Sequence, residues 1–329
     1  MTSGLGDSKV PHTGLRHLEA TDRLVSVSSN GPGPEVRYAL HMSLKPTFLR
    51  PSAILAPYVS DYFAIEADPP PPGGGASTAR VLPVPHTQLV FGHGDPCFER
   101  LLAGSLAPSP DYAITGFMSQ TIEYSCPGRL GVIMVGLQPW GLRPFLRGAI
   151  PEMVDRNLLI STEFLHVANL EWQVRSAGSL QQRIDHIETF LLRNLRQPAL
   201  DQPIVEAVEE LVQRRGDVDL GQLARDAGIG SRHFRRRFQA AIGVAPRRFC
   251  QVVRFQSVFT ALDRQEGAPD WCALALEAGY YDQSHFIHAF RAFTGLTPAA
   301  YLSRMQRTDT GRAFDAEREH GDPALRTYV

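Results

Sequence analysis

The chain has 329 residues, of which 43% are hydrophobic and 20% are charged, and its formal net charge at pH 7 is −1. The length predicts two domains, each with a buried core, and the composition is typical of a globular protein. The near-zero charge argues against a protein that coats nucleic acid without sequence preference. No apolar run reaches about 18 residues, so the sequence predicts no transmembrane helix.

Residues 1–42 are rich in serine, glycine and proline and show little hydrophobic periodicity, which predicts a flexible tail. Met42 as the true first residue is the alternative. The segment lacks the basic-then-apolar pattern of a signal peptide, so we expect a cytoplasmic protein. The four cysteines, at positions 97, 126, 250 and 272, form no C-x-x-C pair, and we expect reduced thiols and no zinc site.

Residues 43–197 are predicted to form a sensor or dimerisation domain that is rich in strands. Between residues 80 and 146, short segments of β-branched and aromatic residues are separated by glycine and proline. The predicted strands cover residues 81–84, 88–91, 112–114, 121–124 and 130–137. Several short strands with turn residues between them indicate a small barrel or sandwich.

One helix is predicted near the end of this domain, at about residues 179–196. Its apolar residues recur at spacings of three and four, as on one face of a helix. They are Ile184, Ile187, Phe190, Leu191 and Leu195. This face either contacts a second copy of the chain or belongs to the domain core, and we favour the core.

Candidate metal, redox and pocket residues lie in the same domain. His86 and His93 carry imidazoles, which are common metal ligands, but no H-x-H motif and no third ligand accompany them, so we expect no metal and no cofactor. Cys126 is a candidate redox thiol, with an ordinary buried cysteine as the favoured interpretation. Five aromatic residues of this domain either line an apolar pocket or belong to the ordinary core, and we favour the core. They are Tyr62, Phe63, Phe117, Tyr124 and Trp140.

The last third of the chain contains an internal repeat. Residues 223–228 (LARDAG) return as residues 274–279 (LALEAG), at an offset of 51. Later pairs follow at an offset of 52: Phe234 with Phe286, Phe238 with Phe290, Gly243 with Gly295, and Pro246 with Pro298. One residue is therefore inserted in the second copy, between the pairs at offset 51 and the pairs at offset 52. Because turns tolerate insertions, this change of offset agrees with two copies of one structural unit.

Each copy has the pattern of a helix, a tight turn and a second helix. Gly228 and Gly279 end the first helices, because the turn requires a positive φ that glycine adopts readily. Ser231 and Asp282 are predicted to cap the second helices, each of which buries two phenylalanines four residues apart. This pattern predicts two helix-turn-helix units.

The polar face of each second helix is suited to contact base edges. In the first copy this face carries Arg232, Arg235, Arg236 and Gln239. In the second copy it carries Gln283, Ser284, Ile287 and His288. Arginine binds guanine through two hydrogen bonds, glutamine suits adenine, and isoleucine suits the thymine methyl group. We therefore predict base contacts in the major groove from both faces.

The surrounding sequence is locally basic. Residues 225–264 contain nine arginines and two acidic residues. This local positive charge attracts a phosphate backbone, and the alternative interpretation is a solvated helix face. The predicted phosphate contacts are Arg225, Arg237, Arg247, Arg248, Arg254 and Arg291. A connecting helix of about 18 residues from Pro246 spans roughly 27 Å, which suits two reading helices in successive major grooves, about 34–36 Å apart.

Residues 278–301 (AGYYDQSHFIHAFRAFTGLTPAAY) resemble the closing signature of the AraC/XylS family of bacterial transcription regulators. The resemblance covers about residues 203–306 and implies a DNA-binding domain of seven helices with two helix-turn-helix units. It implies base contacts from Arg232, Arg235, Arg236, Gln283, Ile287 and His288. His288 departs from the family, in which a longer basic side chain is common. Residues 307–329 are predicted to be a polar tail.

Residues 81–91 and 131–141 look like the cupin-like sensor domains attached to such regulators. The predicted fold class is α+β multidomain, with a cupin-like small β-barrel and helices followed by an all-α domain of two helix-turn-helix units joined by a helix. The expected partner is double-stranded DNA, with RNA polymerase, a small-molecule effector and a second copy of the chain as further candidates.

Two other functions remain open from the sequence. One is an enzyme fused to the DNA-binding module, either a cysteine methyl-acceptor or a cupin-type enzyme. The cysteine spacing opposes the first, and the missing H-x-H motif opposes the second. The other is a protein-interaction scaffold, which predicts no salt-dependent affinity for DNA.

Overall fold

The computed structural model describes residues 47–71, 76–102, 104–146, 150, 153–163, 169–196, 200–262 and 268–306. The tails predicted at residues 1–42 and 307–329 lie outside the described residues. None of the helices in the described ranges is long and apolar enough to span a membrane. The described chain has a β-rich N-terminal domain and a helical C-terminal domain, as the sequence predicts.

Two antiparallel sheets form the N-terminal domain. Their strands are β1 (Thr47–Leu49), β2 (Val59–Ala67), β3 (Ser77–Val81), β4 (Gln88–Gly92), β5 (Phe98–Leu101), β6 (Ala107–Pro108), β7 (Tyr112–Thr115), β8 (Ile122–Cys126), β9 (Leu130–Leu137) and β10 (Asn157–Leu159). The larger sheet has the order β1-β2-β9-β4-β7-β10, and the smaller has the order β3-β8-β5-β6. Every pairing between these strands is antiparallel.

Four predicted strands are confirmed, as β4, β7, β8 and β9, but the strand predicted at residues 81–84 is wrong in position. Strand β3 ends at Val81, and the following residues form a buried loop. Pro83 has no backbone N–H to donate to a neighbouring strand. Its carbonyl oxygen instead accepts a hydrogen bond from the Gln256 side chain of the helical domain.

The helices of the N-terminal domain cover the larger sheet. They are a 3-10 helix (Arg143–Phe145), α1 (Ile160–Glu163), α2 (Leu170–Ser176) and α3 (Leu180–Asn194). The apolar face of α3 is buried against the sheet, so the core interpretation of this helix is confirmed. Glu188, at the border of this face, accepts hydrogen bonds from the Ser52 backbone N–H at 2.8 Å and the Tyr62 hydroxyl at 2.9 Å.

Seven helices form the described part of the C-terminal domain, in agreement with the resemblance. They are α4 (Gln202–Gln213), α5 (Leu220–Asp226), α6 (Ser231–Ile242), α7 (Pro246–Leu262), α8 (Trp271–Glu277), α9 (Gln283–Thr294) and α10 (Pro298–Gln306). Phenylalanines of α6, α7 and α9 meet in one core, in which the Phe238 and Phe249 rings lie 5.6 Å apart and the Phe255 and Phe290 rings 5.5 Å apart. Burial of these rings fixes the outward direction of the opposite helix faces.

The two domains share a continuous apolar contact along α7. Leu82, Phe117 and Trp140 of the β-rich domain belong to the same buried cluster as the phenylalanines of the helical domain. The ring of Phe117 lies 6.2 Å from that of Phe249. The β-rich domain therefore packs directly on the helix that joins the two helix-turn-helix units.

Candidate nucleic-acid interface

The first helix-turn-helix unit consists of α5 and α6. Asp219 caps α5, because its carboxylate accepts hydrogen bonds from the backbone N–H groups of Gly221 and Gln222. Gly228 in the turn has a φ of +66°, as the turn requires. The prediction that Ser231 caps α6 is wrong: the cap is Gly230, whose carbonyl accepts the first helical hydrogen bond, so Ser231 already lies within the helix.

The second unit consists of α8 and α9 and repeats this geometry. Gly279 has a φ of +77°, and the predicted cap Asp282 accepts a hydrogen bond from the His285 backbone N–H at 2.7 Å. Residues 227–230 connect the helices of the first unit, whereas residues 278–282 connect those of the second. The one-residue insertion inferred from the two offsets thus lies in the turn.

Both predicted reading faces are open to solvent. Arg232, Arg235, Arg236 and Gln239 are exposed on α6, and Gln283, Ser284 and His288 are exposed on α9. Ile287 is half-buried, because part of its side chain packs against the core of the domain. Both faces lie away from the buried phenylalanines of their helices, as the spacing along a helix requires.

The six arginines predicted to contact phosphate fall into two groups. Arg225, Arg247 and Arg291 are exposed. The other three are partly buried and contact groups on other elements of the protein. Arg237 donates two hydrogen bonds to the Asp201 carboxylate, and these bonds raise the pKa of Arg237. Arg237 therefore links α6 to the start of α4.

Arg248 and Arg254 also have partners within the chain. Arg254 donates a hydrogen bond to the Gly216 carbonyl oxygen at 2.8 Å, and its guanidinium lies 5.9 Å from the centre of the Tyr280 ring. Arg248 donates a hydrogen bond to the Ser119 carbonyl oxygen of the β-rich domain at 3.4 Å. These contacts give both side chains a structural role.

Thr121 makes a domain contact that the sequence analysis missed. Its backbone N–H and its hydroxyl each donate a hydrogen bond to the Phe293 carbonyl oxygen, both at 2.9 Å. Phe293 lies in the last turn of α9, where carbonyl groups have no partner within the helix. The β-rich domain therefore satisfies one backbone carbonyl group at the C-terminal end of α9.

The loop that carries Thr121 is itself held in place by Asp155. The Asp155 carboxylate accepts hydrogen bonds from the Ser119 backbone N–H at 2.6 Å and from the Ser119 hydroxyl at 2.5 Å. Asp155 has a φ of +55°, which is uncommon for a residue other than glycine. No short-range motif signals this contact, because the residues that form it are far apart in the sequence.

The candidate metal residues His86 and His93 lie in loops, and both are buried. Burial lowers the pKa of His86 to about 3, and burial with the charges of nearby arginines lowers the pKa of His93 to about 4. Both imidazoles are therefore neutral at pH 7. In the described ranges, no three side chains of His, Cys, Asp or Glu come together as a metal site would require.

Four of the five candidate pocket aromatics lie in the buried core. Tyr62, Phe63 and Phe117 belong to three separate apolar clusters, and Trp140 belongs to the cluster of Phe117. The Trp140 indole N–H donates a hydrogen bond to the Pro57 carbonyl oxygen at 3.1 Å. For these four residues the core interpretation is confirmed.

Comparison with known protein families agrees with the geometry of the helical domain. A family described as a helix-turn-helix domain matches residues 223–304, from α5 to α10. The C-terminal domain is an AraC-type helix-turn-helix domain. A second family, described as a domain of unknown function, matches residues 47–159. The helix-turn-helix match thus follows a separate family match, which covers most of the β-rich domain.

Individual relatives cover parts of the chain. A protein of Haemophilus influenzae described as an uncharacterized HTH-type transcriptional regulator is 32% identical over 174 residues, which are 47% of this chain and 57% of the relative. The match therefore spans little more than half the length of that curated relative. The crystal structure of ToxT from Vibrio cholerae is 10% identical, with a TM-score of 0.41, over 73% of this chain and 96% of that one.

Two further solved structures are similar to about a third of this chain. The DNA-binding domain of AdpA, in complex with a target DNA, is 25% identical with a TM-score of 0.29 and covers 36% of this chain and 98% of that one. An AraC-type regulator from Chromobacterium violaceum is 20% identical with a TM-score of 0.28, over 33% of this chain and 94% of that one.

Proposed function

We propose that this protein is a one-component, sequence-specific regulator of transcription that binds double-stranded DNA in the cytoplasm. The observation that carries the proposal is the pair of exposed polar faces on α6 and α9, each on the second helix of a matched helix-turn-helix unit. Each face enters one of two successive major grooves on the same side of the duplex. RNA polymerase and a second copy of the chain are further proposed partners, and the proposal assigns the chain no catalytic step.

Selection of bound sequences from a random DNA pool tests this proposal. We expect a split motif whose two blocks lie about 10 base pairs apart, because that spacing brings both blocks to one side of the duplex. The affinity for the selected site should fall steeply as the salt concentration rises. A selected pool without any common motif, or an affinity that is insensitive to salt, contradicts the proposal.

Replacing Arg247 with alanine tests the proposed phosphate contacts. Arg247 is exposed at the start of α7, and we place it on the DNA backbone together with Arg225 and Arg291. The variant should weaken binding to all sequences about equally and reduce the salt slope by about one. Arg193→Ala, which removes the same charge from the exposed side of α3, is the control. A change in base preference caused by Arg247→Ala contradicts its assignment to phosphate.

We further propose that the β-rich domain acts on DNA binding through the Thr121 contact. The contact holds the end of α9, and the neighbouring Arg248 contact holds α7, so together they restrain the second unit relative to the connecting helix. Phe293 is one of the buried residues of α9, whereas the reading face of α9 is exposed, so we expect DNA to bind while the Thr121 contact persists. A rearrangement of the Asp155-held loop would therefore change the placement of α9 without blocking it.

Thr121→Val tests this coupling. Valine has the shape of threonine but removes the hydroxyl hydrogen bond to Phe293, which we expect to contribute about 1 kcal/mol. Affinity for a split site should fall about five-fold, whereas affinity for the first block alone should be unchanged. Thr78→Val, an exposed position on β3, is the control. Equal losses for the split site and the first block contradict the coupling.

We place the small-molecule effector in a cleft between α2 and the edge strand β10. The cleft has a volume of about 850 Å³, within the range of ligand sites, and its lining includes Leu159, Trp172 and Arg175. Trp172 is 70% exposed, an unusual position for an indole that has no ligand to cover it. The Arg175 guanidinium is already paired with the Asp111 and Glu171 carboxylates, so the cleft favours a neutral or cationic aromatic ligand over an anion.

A thermal-shift screen of such compounds against the wild type and Trp172→Ala tests the cleft. A ligand that occupies it should raise the unfolding midpoint of the wild type but not that of the variant, because binding stabilises only the state that binds. Trp271→Ala, in the helical domain, is the matched control and should keep the shift. A ligand that stabilises wild type and Trp172→Ala equally binds elsewhere and contradicts the placement.

A further inference from the structure

Two cysteines that are 29 positions apart in the sequence lie next to each other across strands β5 and β8. In this antiparallel pair Phe98 is opposite Ser125 and Glu99 is opposite Tyr124. Continuing the same register by one residue places Cys97 opposite Cys126. Residues opposite each other on antiparallel strands point to the same face, with Cα atoms about 4.5–5.5 Å apart. A disulfide requires a Cα separation of about 4.4–6.8 Å.

The hydrogen bonds of the two thiols agree with this register. The sulfur of Cys97 donates to the Asp95 carbonyl oxygen at 3.6 Å, and the sulfur of Cys126 donates to the same oxygen at 4.0 Å. Both sulfurs therefore lie around one acceptor, the Asp95 carbonyl oxygen.

We infer that Cys97 and Cys126 form a reversible redox site, in which a peroxide converts the two thiols into an intramolecular disulfide. Cys97 is partly exposed and Cys126 is buried, so the oxidant reaches Cys97 first. The Cys97 sulfur attacks the peroxide, an S–O bond forms, the O–O bond breaks, and water leaves, which yields a sulfenic acid. The Cys126 sulfur then attacks the Cys97 sulfur, an S–S bond forms, the S–O bond breaks, and a second water leaves.

The surroundings make this reaction slow. Burial, and then the neighbouring Cys126 thiol, raise the pKa of Cys97, and the carboxylates of Asp111 and Asp95 raise it further. Because the thiolate is the reacting form, only a small fraction of Cys97 reacts at any moment at pH 7. We therefore expect oxidation over hours at millimolar peroxide, and not within seconds as at an activated thiol.

Intact-mass spectrometry of the full chain tests the inference. The Cys272→Ser variant removes the exposed lone thiol, which would otherwise join two chains. After peroxide treatment its mass should fall by two hydrogens, about 2 Da, the digest should contain a peptide that links Cys97 to Cys126, and dithiothreitol should reverse both. Adding Cys97→Ser or Cys126→Ser to this background should abolish the change.

Phenylarsine oxide gives a second measurement that does not depend on oxidation. This reagent bridges two adjacent thiols with loss of one water, so one molecule should bind per chain and neither serine variant should bind it. Linkage of Cys97 to Cys250, addition of oxygen without a disulfide, or an unchanged mass combined with no bound arsenical would each overturn the inference.

Discussion

Replacing Arg235 or Arg236 with alanine should lower the affinity for the selected DNA site by about 1–3 kcal/mol, which is roughly 5- to 150-fold. Both side chains are exposed on α6, on the side away from Phe234 and Phe238, so neither substitution removes a buried contact. The expected loss comes from the bidentate hydrogen bonds that a guanidinium makes to a guanine. Quantitative gel shifts at constant salt measure it.

The lysine variants separate base contact from simple charge. Arg235→Lys keeps the positive charge but loses the planar fork that binds two acceptors at once. A base contact therefore predicts that the lysine variant loses most of the preference for one or two base pairs, whereas a phosphate contact predicts almost no change. Arg214→Ala, at the exposed residue that directly follows α4, controls for loss of charge. If neither alanine variant changes affinity or preference, the assignment of this face to DNA is wrong.

Replacing Phe290 with alanine should destabilise the helical domain by about 3–5 kcal/mol, the largest effect that we expect from a single substitution in this domain. Phe290 is 1% exposed, and aromatic rings surround it on several sides. Its ring centre lies within about 6 Å of those of Phe255, Phe259, Phe286 and Tyr301. Alanine leaves a cavity that these rings, which hold each other in place, fill only partly.

Urea unfolding followed by circular dichroism measures this loss, and gel shifts show its consequence. Because Phe290 lies on the buried side of the second reading helix, the variant should lose preference at the second block of the split site before the first. Phe190→Ala, a buried ring on α3 that contacts Phe91, is the matched control. It should destabilise the β-rich domain and leave the preference at the second block intact. A loss of stability below about 1 kcal/mol for Phe290→Ala contradicts the assignment of this ring to the core.

The elements that could be predicted are those with local causes. Both helix-turn-helix units follow from apolar residues at helical spacing and from glycines that end helices, and Gly243 and Gly295 do have φ values of +86° and +75°. The periodicity that predicts each buried face also predicts the polar face opposite it. The exposure of the two reading faces could therefore be predicted without any knowledge of the remaining chain.

The strands that were missed have causes that are not local. Strand β2, with nine residues, shows no alternation of polar and apolar residues, because apolar residues are buried on both of its faces. Tyr62 packs into the larger apolar cluster of the β-rich domain on one face, and Phe63 packs into a smaller cluster on the other. Strand β10 has only three residues and pairs with β7, which precedes it by more than 40 residues. Neither feature produces a pattern that a short window of sequence contains.

The sequence by itself determined the two helix-turn-helix units and the direction of their polar faces, since a helix with phenylalanines on one side must turn its arginines to the other. Only the tertiary structure decided which arginines have partners elsewhere in the protein. Arg237 pairs with a residue 36 positions away, Arg248 with one 129 positions away, and Thr121 with one 172 positions away. Such partners depend on how distant parts of the chain pack together, and the proximity of Cys97 and Cys126 depends on the register of β5 and β8. Neither the packing nor the register can be predicted from a single short segment of the sequence.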